Sequence, residues 1–237
     1  MIISRNIMVA LLAVIHVSYS HSLVVCAQSS HWAYRPIQSP HVPVIEHGEL
    51  SSNPVDQFVV RRLEKEGLLL SAPADRETLV RRVTLDLIGL PPTSDEAQAF
   101  VDDTRPNAYA RLVDRLLASP YYGEHWARPW LDLCHYADTD GYLTDQIRPV
   151  AWRYRAWLVD ALNEGMPFDQ FTIEQLAGDL LPQATTRQKL ATGFLRQTLS
   201  NREGGADPEE FRVKQVIDRT SMVGEVWMGL TVGCAQC

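Results

Sequence analysis

The 237-residue chain predicts a mainly α fold: an irregular multi-helix domain with long loops and an extended N-terminal strap. Three observations carry that expectation. Helix-start chemistry recurs along the chain, with Asn53-Pro54, Asp75, Thr93 followed by Glu96, and Asp207-Pro208 each ahead of an apolar run. Apolar residues return at helical spacing, as in Leu112, Val113, Leu116 and Leu117. No alternating run of strand character appears before Leu230-Thr231-Val232.

Residues 1–27 read as a secretory signal. Arg5 precedes an apolar stretch, Ile7 to Val17, too short to span a bilayer, and cleavage is expected at Ala27/Gln28. The expected location is therefore secreted or periplasmic, with no transmembrane segment once the signal is removed. Residues 28–52 form an extended lead-in carrying Pro36, Pro40 and Pro43. Its His31, His41 and His47 lack compact metal-ligand spacing, and its Trp32 and Tyr34 are expected to pack as a strap.

Residues 53–237 read as one helical domain. The first helix follows Asn53, with Val55, Phe58, Val59 and Leu63 inward and Gly67 at its end. Asp75 opens the next, with Leu79, Val80, Val83 and Leu87 inward and Gly89 as its stop. A capping box at Thr93 and Glu96 starts a short helix over Ala97, Phe100 and Val101. Tyr109 and the leucines after it make a fourth, closed by Ser119-Pro120. Residues 121–165 concentrate Trp126, Trp130, Trp152 and Trp157 with Arg128, Arg148, Arg153 and Arg155. Such a set makes either a binding surface or a tryptophan core rimmed by arginine; the Trp spacings of four and five favour the core. Pro167 and Asp169 begin a helix with Phe171, Leu176 and Leu180 inward. Another runs from about Thr186 to Thr198, and a long one from Pro208 towards Met228.

The formal net charge of −7 does not favour nucleic acid as a partner. Only Lys65, Lys189 and Lys214 are lysines among 22 basic residues; the rest are arginines, suited to planar pairing with carboxylates. No nucleophile triad, phosphate loop or dinucleotide fingerprint is present.

Two acidic turns form a candidate polar site. Asp138-Thr139-Asp140-Gly141 with Asp145 fails the EF-hand register, because Tyr142 and Leu143 occupy positions 5 and 6, and it reads as another carboxylate site or as capping turns. Glu203, Asp207, Glu209 and Glu210 surround Gly204-Gly205, whose glycines point to a close backbone approach. Such carboxylates serve acid–base or metal chemistry, or simply favour a helix start. No metal is assigned. Cys134-His135 reads as a buried thiol with a rim histidine, since adjacent helical residues diverge. Cys234-Ala235-Gln236-Cys237 is a dithiol, half a zinc site, a disulfide or the start of a haem attachment motif, and the sequence stops there, which predicts a fragment truncated at its C-terminus.

The chain carries the segments NPVDQFVVRRL (53–63), DRETLVRRVTLDLIGLPP (75–92), LVDRLLASPYYG (112–123), ADTDG (137–141), WRYRAWL (152–158), MPFDQFTIEQLAGDLLP (166–182), EGGADPEEFR (203–212) and VWMGLTVGCAQC (226–237). On these segments, from His31 to Cys237, it resembles secreted planctomycete-type proteins of the family called domain of unknown function 1549, a planctomycete cytochrome-c-associated domain. In similar proteins the last pair continues as C-x-x-C-H and a second domain lies downstream. The resemblance thus implies Cys234 and Cys237 as thioether donors to haem c in the full-length protein, or as a structural cysteine pair, with none bound in this fragment, and a redox partner. Three departures from the family pattern stand out. Pro129 replaces a helix-compatible residue and predicts a break between Arg128 and Trp130. Cys134-His135 replaces Ala-Arg, and Gln197 replaces a frequent Asn. The leading functional expectation is an exported redox-associated module. The alternatives are a polymer-degrading or ligand-binding scaffold of an exported complex, and a structural interaction domain.

Overall fold

The structure is a computed structural model that describes residues 33, 35–45, 53–141, 145–201 and 203–236. The signal, Trp32, Tyr34, His31, His47 and Cys237 lie outside the described residues. Among those described there are nine α-helices and no strand, so the mainly α class holds. The chain divides into two compact units, residues 1–72 and 73–237.

In the first unit, residues 36–45 have no regular secondary structure. Helix α1 (Pro54–Lys65) starts as its sequence dictates: Asn53 Oδ1 accepts the Asp56 N–H at 3.0 Å and Pro54 takes the first turn. The expected inward stripe is largely exposed, at Val55, Phe58 and Val59, while Val60 is buried. Among the described residues α1 is the unit's one α-helix, so the stripe has no second helix of that unit to pack on.

The second unit begins with α2 (Arg76–Ile88), α3 (Ser94–Val101) and α4 (Ala108–Leu117). Asp75 caps α2, Gly89 closes it at φ 71°, and the Thr93/Glu96 capping box opens α3. Val80, Val83, Phe100, Ala108, Leu112 and Leu116 form one apolar cluster. Tyr109 and Leu117, expected inward, are exposed; Ala108 fills the contact instead, because a ten-residue helix covers its neighbours with one narrow face.

Helices α5 (Pro120–Leu133) and α6 (Trp152–Asn163) pair closely. A Cβ on Gly123 would stand 2.5 Å from the Val159 carbonyl, so only glycine allows this approach. The break expected at Pro129 does not occur: α5 is continuous. Pro129 is exposed, and the opposite face, with Ala127 and Leu131 buried, holds the helix together across the lost hydrogen bond.

Helices α7 (Phe168–Ala177), α8 (Thr186–Ala191) and α9 (Pro208–Met228) complete the unit, with 3-10 turns at Gly178–Leu180, Thr192–Arg196 and Val232–Gln236. Leu180, expected inward, is exposed. At Gly178 the chain turns, with room for no Cβ beside the Gln188 carbonyl, and α7 buries Glu174 and Gln175 instead. The single helix expected from Thr186 to Thr198 changes to a 3-10 turn at Thr192, where Gly193 lies against the Tyr154 side chain. Around these turns lies an aromatic core. Trp130 meets Phe171 edge-on at 4.9 Å, Phe194 meets Trp227 at 4.6 Å, and Trp157 stacks on Phe171 at 5.6 Å. Gln175, wholly buried, accepts hydrogen bonds from Trp130 Nε1 and the Tyr154 hydroxyl, each at 2.8 Å. Of the four central tryptophans, Trp130 and Trp157 thus belong to the core, while Trp126 and Trp152 are exposed.

Candidate functional site

The chain leaves α5 through a tight C-terminal motif. Tyr136 N–H bonds to the Leu131 carbonyl at 2.9 Å and His135 N–H to Asp132 at 3.1 Å, with His135 at φ 56°. Cys134 ends up fully buried, and desolvation pushes its thiol up to about 11. It is therefore an inert core thiol at neutral pH, beside a half-exposed His135 that lies 3.6 Å from Asp218.

The acidic turn that follows is a minimal hairpin. Arg148 N–H bonds to the Asp138 carbonyl at 2.7 Å, Asp140 N–H to Gln146 at 2.9 Å, and Thr139 bridges Ile147 antiparallel. Asp145 Oδ1 accepts the Gly141 N–H at 2.9 Å, and its hydrogen bonds, led by the one from Thr139, lower its carboxyl below the ordinary aspartate value. Asp138 accepts the Tyr136 hydroxyl at 2.6 Å. Both are thereby committed to holding the turn.

Asp140 differs from them. It is 1% exposed, and Arg148 Nε donates to its Oδ1 at 3.1 Å. The rest of the guanidinium donates to the Gln197 and Thr198 carbonyls, at 3.4 and 2.7 Å. One arginine thus fastens the hairpin to the backbone leaving the Thr192–Arg196 turn, which places Asp140 and Arg148 in the wall of a cleft of about 1050 Å³. Gln197 lines the same cleft. Its Nε2 donates to the Gly193 carbonyl at 2.8 Å, while its buried Oε1 finds no donor among the described residues.

Basic residues dominate this cleft. Arg153 comes from the first turn of α6, Lys189 from α8, Arg196 from the end of the 3-10 turn and Arg219 from α9, joining Arg148; Asp140 and Asp179 are the lining acids. The lining is cationic although the chain is acidic overall. Arg219 donates to the Leu195 carbonyl at 2.9 Å and to Gln215. Arg153 lies over the Trp152 ring at 5.8 Å. Among the described residues, Arg153, Lys189, Arg196 and Arg219 form no ion pair. Arg148 and Arg153 stand in the arginine-rich stretch singled out in the sequence. Lys189, Arg196 and Arg219 were not foreseen; the one available signal was Lys189 as one of three lysines.

The second acidic turn is placed differently. Asp207 Oδ1 caps α9, accepting the Glu209 and Glu210 N–H groups at 2.9 and 3.4 Å. Glu209 pairs with Arg212, which holds its carboxyl below the ordinary glutamate value, and Glu210 with Lys214 at 2.6 Å. Glu203 N–H donates to Asn201 Oδ1, and the buried Glu203 Oε1 finds no donor among the described residues. The close approach expected at Gly204-Gly205 is absent: a Cβ at either meets nothing within 4 Å, and the requirement for glycine comes from φ 93° at Gly205. None of these four carboxylates lines the cleft around Asp140. No group of three or more His, Cys, Asp and Glu among the described residues gathers to hold a metal ion.

Cys234 lies on the 3-10 turn Val232–Gln236, exposed and without a disulfide. The turn folds back along α9, where Gly224 leaves space for Val232 and its carbonyl accepts the Leu230 N–H at 3.0 Å.

Fold and site together define a helical domain with a cationic cleft behind a buried Asp–Arg clasp. The family model described as PSCyt2, a protein of unknown function (DUF1549), matches residues 54–237, and the chain belongs to that family. No curated protein and no solved structure matches it. No helix among the described residues is long and apolar enough to cross a membrane.

Proposed function

We propose that the chain is the ligand-binding scaffold domain of an exported protein. The observation that carries this reading is the cleft at Asp140 and Arg148, of a volume suited to a small ligand and lined by residues of five separate elements. The Asp140–Arg148 clasp sets the wall, and the cleft cations lie around it. Export rests on the leader at residues 1–27. Thermal-shift measurement of the purified chain against uncharged saccharides, acidic saccharides and small carboxylic acids tests the proposal. A ligand-dependent rise in Tm that disappears in Ser200→Trp, which puts bulk at the cleft, is the expected outcome. No shift with any class would sink it.

The redox-associated reading stands second. It is supported by Cys234, an exposed free thiol on a turn anchored to α9, and by the C-x-x-C spacing to Cys237. Covalent haem attachment needs a histidine directly after Cys237. A protein with His at that position should give a pyridine haemochrome spectrum when made with haem-maturation machinery, and Cys234→Ala should abolish it. A native residue other than His there ends this reading.

A further inference from the structure

The chemistry of the cleft narrows its ligand. Elsewhere in the second unit, arginines are mostly spoken for by carboxylates: Arg105 and Arg111 by Asp103, Arg115 by Glu96, Arg155 by Glu124, Arg187 by Glu164 and Arg212 by Glu209. In the cleft the pattern reverses. Arg148 pairs with Asp140, and the other cations there meet no carboxylate among the described residues. Against these cations the lining sets, besides Asp140, one further acid, Asp179, which forms no ion pair with them among the described residues, so like charge is in excess and repels, a cost that a bound anion removes.

The backbone adds to the same field. The first turn of α6, at Ala151, Arg153 and Tyr154, lines the cleft. That turn has no acidic residue, and no side chain caps it, unlike α1, α2, α3, α8 and α9, whose N-caps are filled by Asn, Asp or Thr side chains. The N–H groups of Ala151, Arg153 and Tyr154 already donate to the Arg148, Val150 and Ala151 carbonyls, at 3.2, 3.1 and 3.0 Å, so this helix start adds only the field of its dipole and no free donor of those three.

We infer that the cleft binds a small multivalent oxyanion, a ligand bearing two or more carboxylate, sulfate or phosphate groups, held by Arg153, Lys189 and Arg196. Arg148 belongs to the frame, with three of its five N–H donors serving Asp140 and two carbonyls. Arg219 keeps its bonds to Leu195 and Gln215 and supports the cleft electrostatically. A monovalent anion satisfies one cation and leaves the others in mutual repulsion, so valency discriminates between ligands.

The inference rests on the ligand-binding reading, and the experiment separates the two. Calorimetric titration of the full chain at 50 mM NaCl uses citrate, inorganic pyrophosphate and sucrose octasulfate as three chemical sources of multivalent charge, with acetate and maltose as monovalent and uncharged probes. At least one multivalent probe should bind, at least tenfold more tightly than acetate, and weaken on raising NaCl to 200 mM; which one binds identifies the source. Arg153→Gln/Lys189→Gln/Arg196→Gln, three exposed positions, should lose at least tenfold in affinity. Arg105→Gln, at a paired site, should leave it unchanged. Binding of maltose alone would overturn the anion assignment and preserve a ligand-binding cleft. Binding of none of the five would overturn both, and undiminished multivalent binding by the triple variant would overturn the assignment to this cleft. Circular dichroism of each variant checks that the helices are intact.

Discussion

Two of the places where arginine meets carboxylate in the second unit have opposite results. Where α3 leads into α4, Asp103 receives both Arg105 and Arg111, Glu96 receives Arg115, and Arg76 lies over Phe100 while donating to the Asp103 carbonyl at 2.7 Å. The guanidinium charge there is consumed in holding the chain. In the Asp140 cleft, one arginine is consumed in the same way and four other cations line the same space without an ion pair among the described residues. The first arrangement fixes structure. The second has a fixed frame with charge to spare, as a recognition site requires.

The sharpest way to break the frame is Arg148→Met. It leaves the Asp140 carboxylate buried and loses the bonds to Gln197 and Thr198. Removing one partner of a buried pair costs up to about 3–5 kcal/mol, and Asp140 keeps a further contact that holds the loss towards the lower end. Urea unfolding should show a loss of that size, with much of it recovered in Asp140→Asn/Arg148→Met. A loss below about 1 kcal/mol would mean that the clasp behaves as a surface ion pair.

Acid should loosen the Asp103 end in a defined direction. Hydrogen bonding from Arg105, foremost, holds the Asp103 carboxyl well below its ordinary value of 3.8. A depressed carboxyl contributes stability that is fully present above the ordinary value and lost as pH falls from about 4 through the folded-state value. The Tm difference between the native chain and Asp103→Asn should therefore be largest near pH 7 and close towards pH 2. A gap that stays constant over that range would show the Asp103 pairs to be thermodynamically idle.

These sites were unequally legible in the sequence. Helix starts were, because a cap is chemistry within four residues: Asn53, Asp75, Thr93 with Glu96, and Asp207 all bond as their neighbours dictate. The ends of α7 and α8 were not. Gly178 and Gly193 turn the chain because Gln188 and Tyr154 press against them, and those contacts exist only after folding. The acidic turn at 138–145 was visible as a candidate site, but the sequence treats its aspartates alike. Only the fold, in which Arg148 joins the buried Asp140 to the carbonyls of residues 197–198, separates it from Asp138 and Asp145 as turn formers. The cleft cations were dispersed between Arg153 and Arg219, each an ordinary polar-face residue of its own helix until packing brings four elements together. Glu203, Asp207, Glu209 and Glu210 looked equally suitable, and three of them are bound up in starting α9.

The smallest expected effect on stability comes from neutralising the spare charges. Arg153→Gln/Lys189→Gln/Arg196→Gln should change unfolding free energy by no more than about 0.5 kcal/mol, since each is exposed and outside any ion pair among the described residues. A large loss in urea unfolding would show that these residues hold the fold after all and would erase the contrast with Asp103.

The contrast itself is read most directly from the arginine side-chain Nε–H resonances of the ¹⁵N-labelled chain, assigned by single Arg→Lys substitutions and titrated with whichever of citrate, pyrophosphate or sucrose octasulfate binds. Resonances of Arg153 and Arg196 should move in proportion to occupancy, while those of Arg105 and Arg111 stay in place under their existing bonds to Asp103. Equal movement at both places, or movement confined to Arg105 and Arg111, would contradict the division between arginines that build the domain and cations that await a ligand.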